Sequence, residues 1–248
     1  MLHTFFNRLA ARFGYRLAPL VDPPPPDLAS DALFLSIYQK VRPYTMTSME
    51  RLYALHQAVR YVVEKKIPGD FVECGVWRGG SCMMMALTLE SIGAVGRKIH
   101  LYDTFEGMSE PTAADRQHSG ESAENLLQQE DKSDPHSIWC ASAINDVRAN
   151  VGSTGLPADT FIFHKGKVED TIPAEIPEAI CLLRLDTDWY ASTRHELQHL
   201  YPLLGAGGVL IIDDFGHWEG ARKAVTEYFS GQAHWLHRID YTGRCLIK

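Results

Sequence analysis

Positive charge is scarce in this chain: 24 Lys and Arg stand against 31 Asp and Glu, a net charge of −7. Neutralising phosphates needs clustered cations, so a nucleic-acid partner is not expected. Long apolar runs are missing too, and none approaches the roughly 20 residues that span a bilayer. Cysteine is sparse, at five residues: Cys74, Cys82, Cys140, Cys181 and Cys245. Odd in number, scattered and without paired metal-ligand spacing, they read as reduced thiols of a cytoplasmic protein. The N-terminus has no continuous apolar centre followed by a small-residue cleavage site, so it does not read as a secretory signal. Neither the Gly-x-Gly-x-x-Gly fingerprint nor a phosphate-loop lysine is present, which disfavours a pyrophosphate ligand.

What is present begins with "MLHTFFNRLAARFGYRLAPL", a basic amphipathic stretch with Phe5, Phe6, Leu9 and Phe13 on a face opposite Arg8 and Arg12. It reads as an arm that packs on a partner subunit, so a homo-oligomer is expected. Four consecutive prolines, residues 23–26, form a stiff linker. They divide an arm-and-linker region, 1–30, from a body, 31–248. Helical spacing predicts helices at about 31–42 and 48–66. From Gly69 onward, strands at 70–74, 98–102, 160–164, 180–185 and 207–212 alternate with helices at 81–92, 142–152, 192–203 and 218–230. The closing "HWLHRIDYTGRCLIK" reads as two strands around a turn at Thr242-Gly243. Such alternation implies right-handed crossovers and a doubly wound, mostly parallel α/β sheet of seven strands, one of them antiparallel. The polar, weakly periodic segment 104–140 is expected to border the active site, as a functional lid or a mobile segment.

Two strands, "ICLLRLDTDW" and "GGVLIIDDFG", run straight into acids: Asp186 and Asp188, then Asp213 and Asp214. In one parallel sheet their carboxyl ends share an edge, so four carboxylates converge. Two like charges roughly 4 Å apart repel by about 4 kcal/mol at an effective dielectric of about 20. The cluster must therefore protonate, spread or bind a cation, and oxygen ligands favour a hard ion such as Mg²⁺. The competing reading has Asp213 or Asp214 only capping the next helix and Asp186 in a solvated loop. In "FVECGVWRGGS", Glu73 precedes Gly75, Gly79, Gly80 and Ser81, which open a helix. Glycine admits close backbone approach, the helix start offers free amides, and the acid suits a ligand bearing an ammonium or sulfonium. Asp103, at the end of the next strand, is placed to accept hydrogen bonds from ribose hydroxyls. In "FHKGKVEDTIP", Gly166 and Val168 are candidates to lie against an aromatic base, with Glu169 capping a short helix. His195 and His199, one turn apart, read as a solvated helix face.

Together these residues resemble the macrocin O-methyltransferase family, metal-dependent sugar methyltransferases of antibiotic biosynthesis and their bacterial relatives. The resemblance spans about 45 to 240, through "TMTSMERL", "FVECGVWRGGS", "YDTFEGM", "HKGKVEDTIP", "LLRLDTDWYAST" and "GGVLIIDDFGHWEGARKAV". It implies a class I methyltransferase-like Rossmann fold with N-terminal helices. It also implies S-adenosylmethionine held by Glu73, Gly75, Ser81 and Asp103, with Thr45 and Met46 reaching in. Asp186, Asp213 and Asp214 would be the metal ligands and Asp188 the general base, acting on a hydroxyl of a sugar or glycoside. His217 is the rival base, since imidazole titrates in the useful range. Two other functions remain in view: a catechol-type methyltransferase with a phenolic acceptor, and a non-catalytic scaffold of the same fold.

Overall fold

The computed structural model describes residues 24–248 except 95, 135 and 136. The amphipathic arm and the first proline lie outside the described residues. Pro26 does not continue the extended linker but opens a short helix, α1 (Pro26–Ala29), at the first helical position, where its missing N–H costs nothing. Two cover helices follow. In α2 (Ala32–Val41) the Asp31 side chain caps the Phe34 amide, and in α3 (Met49–Glu64) Ser48 caps Arg51.

The strands are β1 (Asp70–Cys74), β2 (Ile99–Asp103), β3 (Phe161–Lys165), β4 (Ile180–Leu185), β5 (Leu204–Ile212), β6 (His237–Arg238) and β7 (Arg244–Ile247). They form one seven-stranded sheet in the order β3-β2-β1-β4-β5-β7-β6. β1 to β5 pair in parallel, and β7 runs antiparallel between β5 and β6. The expected architecture is therefore observed, antiparallel strand included. β5 begins three residues earlier than the sequence pattern predicts, because Leu204 already pairs with Ile180.

The order reverses between β1 and β4, so the loops leaving these neighbouring strands diverge and open a crevice at their carboxyl ends. Helices pack on both faces: α4 (Gly80–Ser91) and α6 (Ile144–Gly152) on one, α8 (Tyr190–His199) and α9 (Glu219–Tyr228) on the other. Gly80 through Leu89 of α4 are all buried. An apolar surface all round, "CMMMAL", requires cover on both sides, which the sheet and the α2–α3 pair supply.

The 104–140 segment is more ordered than its polarity suggests. It contains α5 (Ala123–Gln129), whose Ala123 and Leu127 pack with Trp189, Trp218 and Ala221 in a separate small core. The Trp189 and Trp218 rings meet edge to face at 4.9 Å. One further helix, α7 (Val168–Thr171), follows β3; its N-cap is Lys167, so Glu169 stands inside its first turn rather than capping it. His195 and His199 are half-buried rather than solvated, and His195 Nε2 lies 2.9 Å from the Ile172 carbonyl, tying α8 to the chain after α7. Among the described residues no helix is long and apolar enough to cross a membrane.

Candidate active site

A cavity of about 410 Å³ lies at the β1/β4 switch point. Its floor depends on a close approach: Gly75 has a φ of +83°, and a Cβ there would overlap the Asp186 carbonyl. Glycine thus lets the loops after β1 and β4 touch, and the Asp186 amide donates to the Cys74 carbonyl at 2.8 Å. At Gly80 a side chain would come within 2.6 Å of the Thr45 Cβ, so this glycine admits the loop between α2 and α3 to the start of α4. That helix start has no side-chain cap, which leaves first-turn amides for a ligand. Gly75, Ser81, Asp103, Thr45, Met46, Gly166 and Val168 all line the cavity, Met46 at 52% exposure on its rim.

Asp103 is already engaged. Its carboxylate accepts from the amides of Val76 at 2.7 Å, Trp77 at 3.1 Å and Phe105 at 2.6 Å. Three backbone donors bend the glycine loop around the end of β2 and leave acceptor capacity on the carboxylate. Trp77 and Phe105 adopt positive φ of 47° and 53°. The buried Trp77 indole N–H has no hydrogen-bond partner among the described residues and belongs to a cavity-lining side chain.

Glu73 also lines the cavity, and its carboxylate is engaged within the protein. It is 1% exposed, receives the Cys82 thiol at 2.8 Å and lies 2.5 Å from Arg184 Nη1. The cause is register: Glu73 of β1 stands directly beside Arg184 of β4. Arg184, 2% exposed, also reaches Asp186 at 2.8 Å, Asp213 Oδ1 at 2.7 Å and the Thr47 hydroxyl at 3.1 Å. One buried guanidinium therefore gathers the ends of three strands and the loop between the cover helices. Sequence reasoning gave it no role, although a lone arginine within an otherwise apolar buried strand was an available signal.

Asp186, Asp188 and Asp214 come together, with carboxylate oxygens all within 4.8 Å of one another. Burial, then the charge of Asp186, lifts Asp188 to about 8, against the pull of its hydrogen bond with Asp214. Burial likewise raises Asp186 and Asp214 well above the usual carboxylate range, and each feels its acidic neighbours. Asp213 stands outside this trio. Arg51 holds its Oδ2, and Oδ1 sits beside Arg184 without an aligned hydrogen bond. Arg51, another residue given no role from sequence, also pairs with Asp240 at 3.1 Å and lines the cavity. Neither Asp213 nor Asp214 caps the next helix with its side chain, since α9 starts behind Trp218.

The donor set suits a hard divalent cation: three oxygen ligands already converge, and Asp213 Oδ1 shares the Arg184 guanidinium with one of them, Asp186. Asp188 itself has a φ of 67°, and the Trp189 amide donates back to the Thr187 carbonyl at 2.8 Å. This is a γ-turn of the positive-φ kind, whose cost is of order 1–3 kcal/mol. His217 also lines the cavity, but it stands apart from the trio; burial, then His118 and Arg51, lowers its pKa. From the 104–140 segment, Thr104, Gly107, Met108, Ser109, Ile138 and Cys140 complete the wall, so the segment borders the cavity as expected.

The family described as macrocin-O-methyltransferase (TylF) matches residues 39–246. The 8-demethyl-8-(2,3-dimethoxy-alpha-L-rhamnosyl)-tetracenomycin-C 4'-O-methyltransferase of Streptomyces olivaceus is 36% identical over 202 residues, which cover 81% of this chain and 74% of that protein. The mycinamicin III 3''-O-methyltransferase of Micromonospora griseorubida is 34% identical over 185 residues, covering 75% and 70%. The solved O-methyltransferase NovP is similar at a TM-score of 0.73 and 30% identity, covering 83% of this chain and 82% of that one.

Proposed function

As a member of the macrocin-O-methyltransferase family this chain is an O-methyltransferase, and we propose that it methylates a hydroxyl of a sugar or glycosylated small molecule, with S-adenosylmethionine as donor and Mg²⁺ at the acid rim. The observation that carries this reading is the Asp186, Asp188 and Asp214 cluster facing the glycine loop across one cavity. The tetracenomycin-C relative named above acts on a rhamnosyl-bearing molecule, which supports the acceptor class.

S-adenosylmethionine supplies an electrophilic methyl on a sulfonium. The uncapped start of α4, with Gly75 and Ser81, would receive its amino-acid end, and the remaining acceptor capacity of Asp103 its ribose hydroxyls. Thr45, Met46, Gly166 and Val168 would close around it, with Glu73, paired to Arg184, in the wall of the same cavity. Asp186, Asp213 and Asp214 would hold Mg²⁺, which would supply Lewis acidity toward the acceptor hydroxyl. Asp188, ionised, would take the acceptor hydroxyl's proton on its carboxylate as the oxygen gains the methyl and S-adenosylhomocysteine leaves. The turn beneath Asp188 and the wall of the 104–140 segment hold the acceptor in line for attack, and positioning supplies the rest.

The test is methyl transfer from radiolabelled S-adenosylmethionine to a panel of glycosides and phenols, with and without chelator, beside calorimetry of cofactor binding. Saturable cofactor binding and chelator-sensitive labelling of glycosides are expected. No cofactor binding at millimolar concentration would overturn the reading; labelling of phenols alone would replace the acceptor class, and indifference to chelator would remove the metal.

A further inference from the structure

The turn that carries Asp188 is anchored from both sides. On the C-terminal side, Asp115 of the 104–140 segment accepts the Tyr190 amide at 2.7 Å, and the Trp189 indole donates to the Ser109 carbonyl at 3.0 Å. On the N-terminal side the Thr187 hydroxyl donates to Glu196 Oε1 at 2.9 Å. Glu196 lies on the buried face of α8 and is wholly inaccessible. Its Oε2 has no hydrogen-bond partner among the described residues, and none of the ion pairs described among them includes it. Burying a carboxyl without a cation is costly, and the hydrophobic core around α8 is built from Leu197 and Leu200 without it. Its carboxyl also meets the buried Cys74 thiol at the end of β1, and its hydrogen bond from a hydroxyl comes from the residue between Asp186 and Asp188.

We propose that Glu196 is a positioning residue: by anchoring the Thr187 side chain it fixes the strained turn that sets Asp188 against Asp186 and Asp214. This inference rests on the reading of Asp186 and Asp214 as Mg²⁺ ligands. A positive-φ turn relaxes when a lateral anchor is lost, and relaxation moves the flanking carboxylates out of their common reach. Glutamine keeps the oxygen that Thr187 needs, whereas leucine fills the volume and offers none.

The experiment is calorimetric titration of the full chain with Mg²⁺, without acceptor, for wild type, Glu196→Gln, Glu196→Leu, Thr187→Val and the Glu196→Leu, Thr187→Val double variant. S-adenosylmethionine titrations and melting temperatures serve as controls. Losing one buried hydrogen bond predicts Mg²⁺ affinity weakened about tenfold in Glu196→Leu and in Thr187→Val. The double variant should be no worse than either single one, and Glu196→Gln should stay within about twofold of wild type. Cofactor affinity should hold throughout. Unchanged Mg²⁺ affinity in Glu196→Leu, multiplicative losses in the double variant, or glutamine as poor as leucine would each overturn the inference. If wild type itself binds no Mg²⁺, the metal reading fails and this inference with it, an outcome distinct from a wild type that binds and a leucine variant that binds equally.

Discussion

Replacing Arg184 with Met removes the cation shared by Glu73, Asp186 and Asp213 while keeping much of the side-chain volume. Breaking one buried ion pair by deleting a partner typically costs about 3–5 kcal/mol, because the remaining charge stays buried. The carboxylates can escape by taking up protons. For a glutamate with an ordinary unfolded pKa that escape destabilises the fold by up to about 3.7 kcal/mol at pH 7 and about 1 kcal/mol at pH 5. The sign follows: burial already raises Glu73, and Arg184 leads the forces pulling it down. Without Arg184 the folded-state pKa rises further, the folded chain binds more protons than the unfolded one, and stability falls as pH rises. Urea unfolding followed by tryptophan fluorescence, in chelator, should show Arg184→Met destabilised by about 3–5 kcal/mol at pH 7.5 and by under about 2 kcal/mol at pH 5.5. Arg184→Lys should fall between, since one ammonium cannot span three carboxylates. A loss below about 1 kcal/mol, or one equal at both pH values, would refute the argument that this guanidinium balances the acids.

Gly75→Ala should be among the most damaging single-methyl changes, because the new Cβ meets the Asp186 carbonyl and the residue has a positive φ. A melting temperature within about 2 °C of wild type would contradict that close approach. Asp103→Asn halves the acceptors offered to the Val76, Trp77 and Phe105 amides; calorimetry should find S-adenosylmethionine bound about tenfold more weakly, and unchanged affinity would show that the loop holds its shape without the carboxylate. In the metal-free chain Asp188 is lifted to about 8, mainly by burial, so its share of stability is full below the ordinary carboxylate range and is lost as pH rises through about 8. Mg²⁺ binds the ionised carboxylates, so its stabilising effect should grow over the same range; a melting shift on adding Mg²⁺ that is no larger at pH 8 than at pH 5 would contradict the assignment.

The sheet was legible because its signals are local. Apolar runs such as "ICLLRL" and "VLII", each ending in aspartate, mark buried parallel strands and their carboxyl ends. The hairpin at Thr242-Gly243 is written in turn chemistry, with Asp240 accepting both amides. The charge partners were not legible, because they depend on register. Glu73 meets Arg184 only once β1 lies beside β4, and Arg51 meets Asp213 only once α3 lies over the end of β5. The small core of the 104–140 segment was hidden because Leu126 and Leu127 are too few to show a period, and their partners Trp189 and Trp218 lie far along the chain.

Register and a turn explain how the four aspartates divide. Leu185 pairs with Ile212, so Asp186 and Asp213 follow at equivalent positions and both reach Arg184, while Arg51 also holds Asp213. Asp188 and Asp214 come one or two residues later, beyond the strand ends, and the positive φ of Asp188 belongs to the turn that sets it with Asp186 and Asp214. The two guanidiniums thus balance Asp213 and Glu73 and touch Asp186, but they form no ion pair with Asp188 or Asp214. Arg184 cannot supply more, since Glu73 and Asp213 share its charge. Asp186, Asp188 and Asp214 remain together at the cavity, their proton affinities raised first by burial and further by neighbouring carboxylates. The divalent cation proposed above would supply there the counter-charge that Arg51 and Arg184 do not give Asp188 and Asp214 through an ion pair.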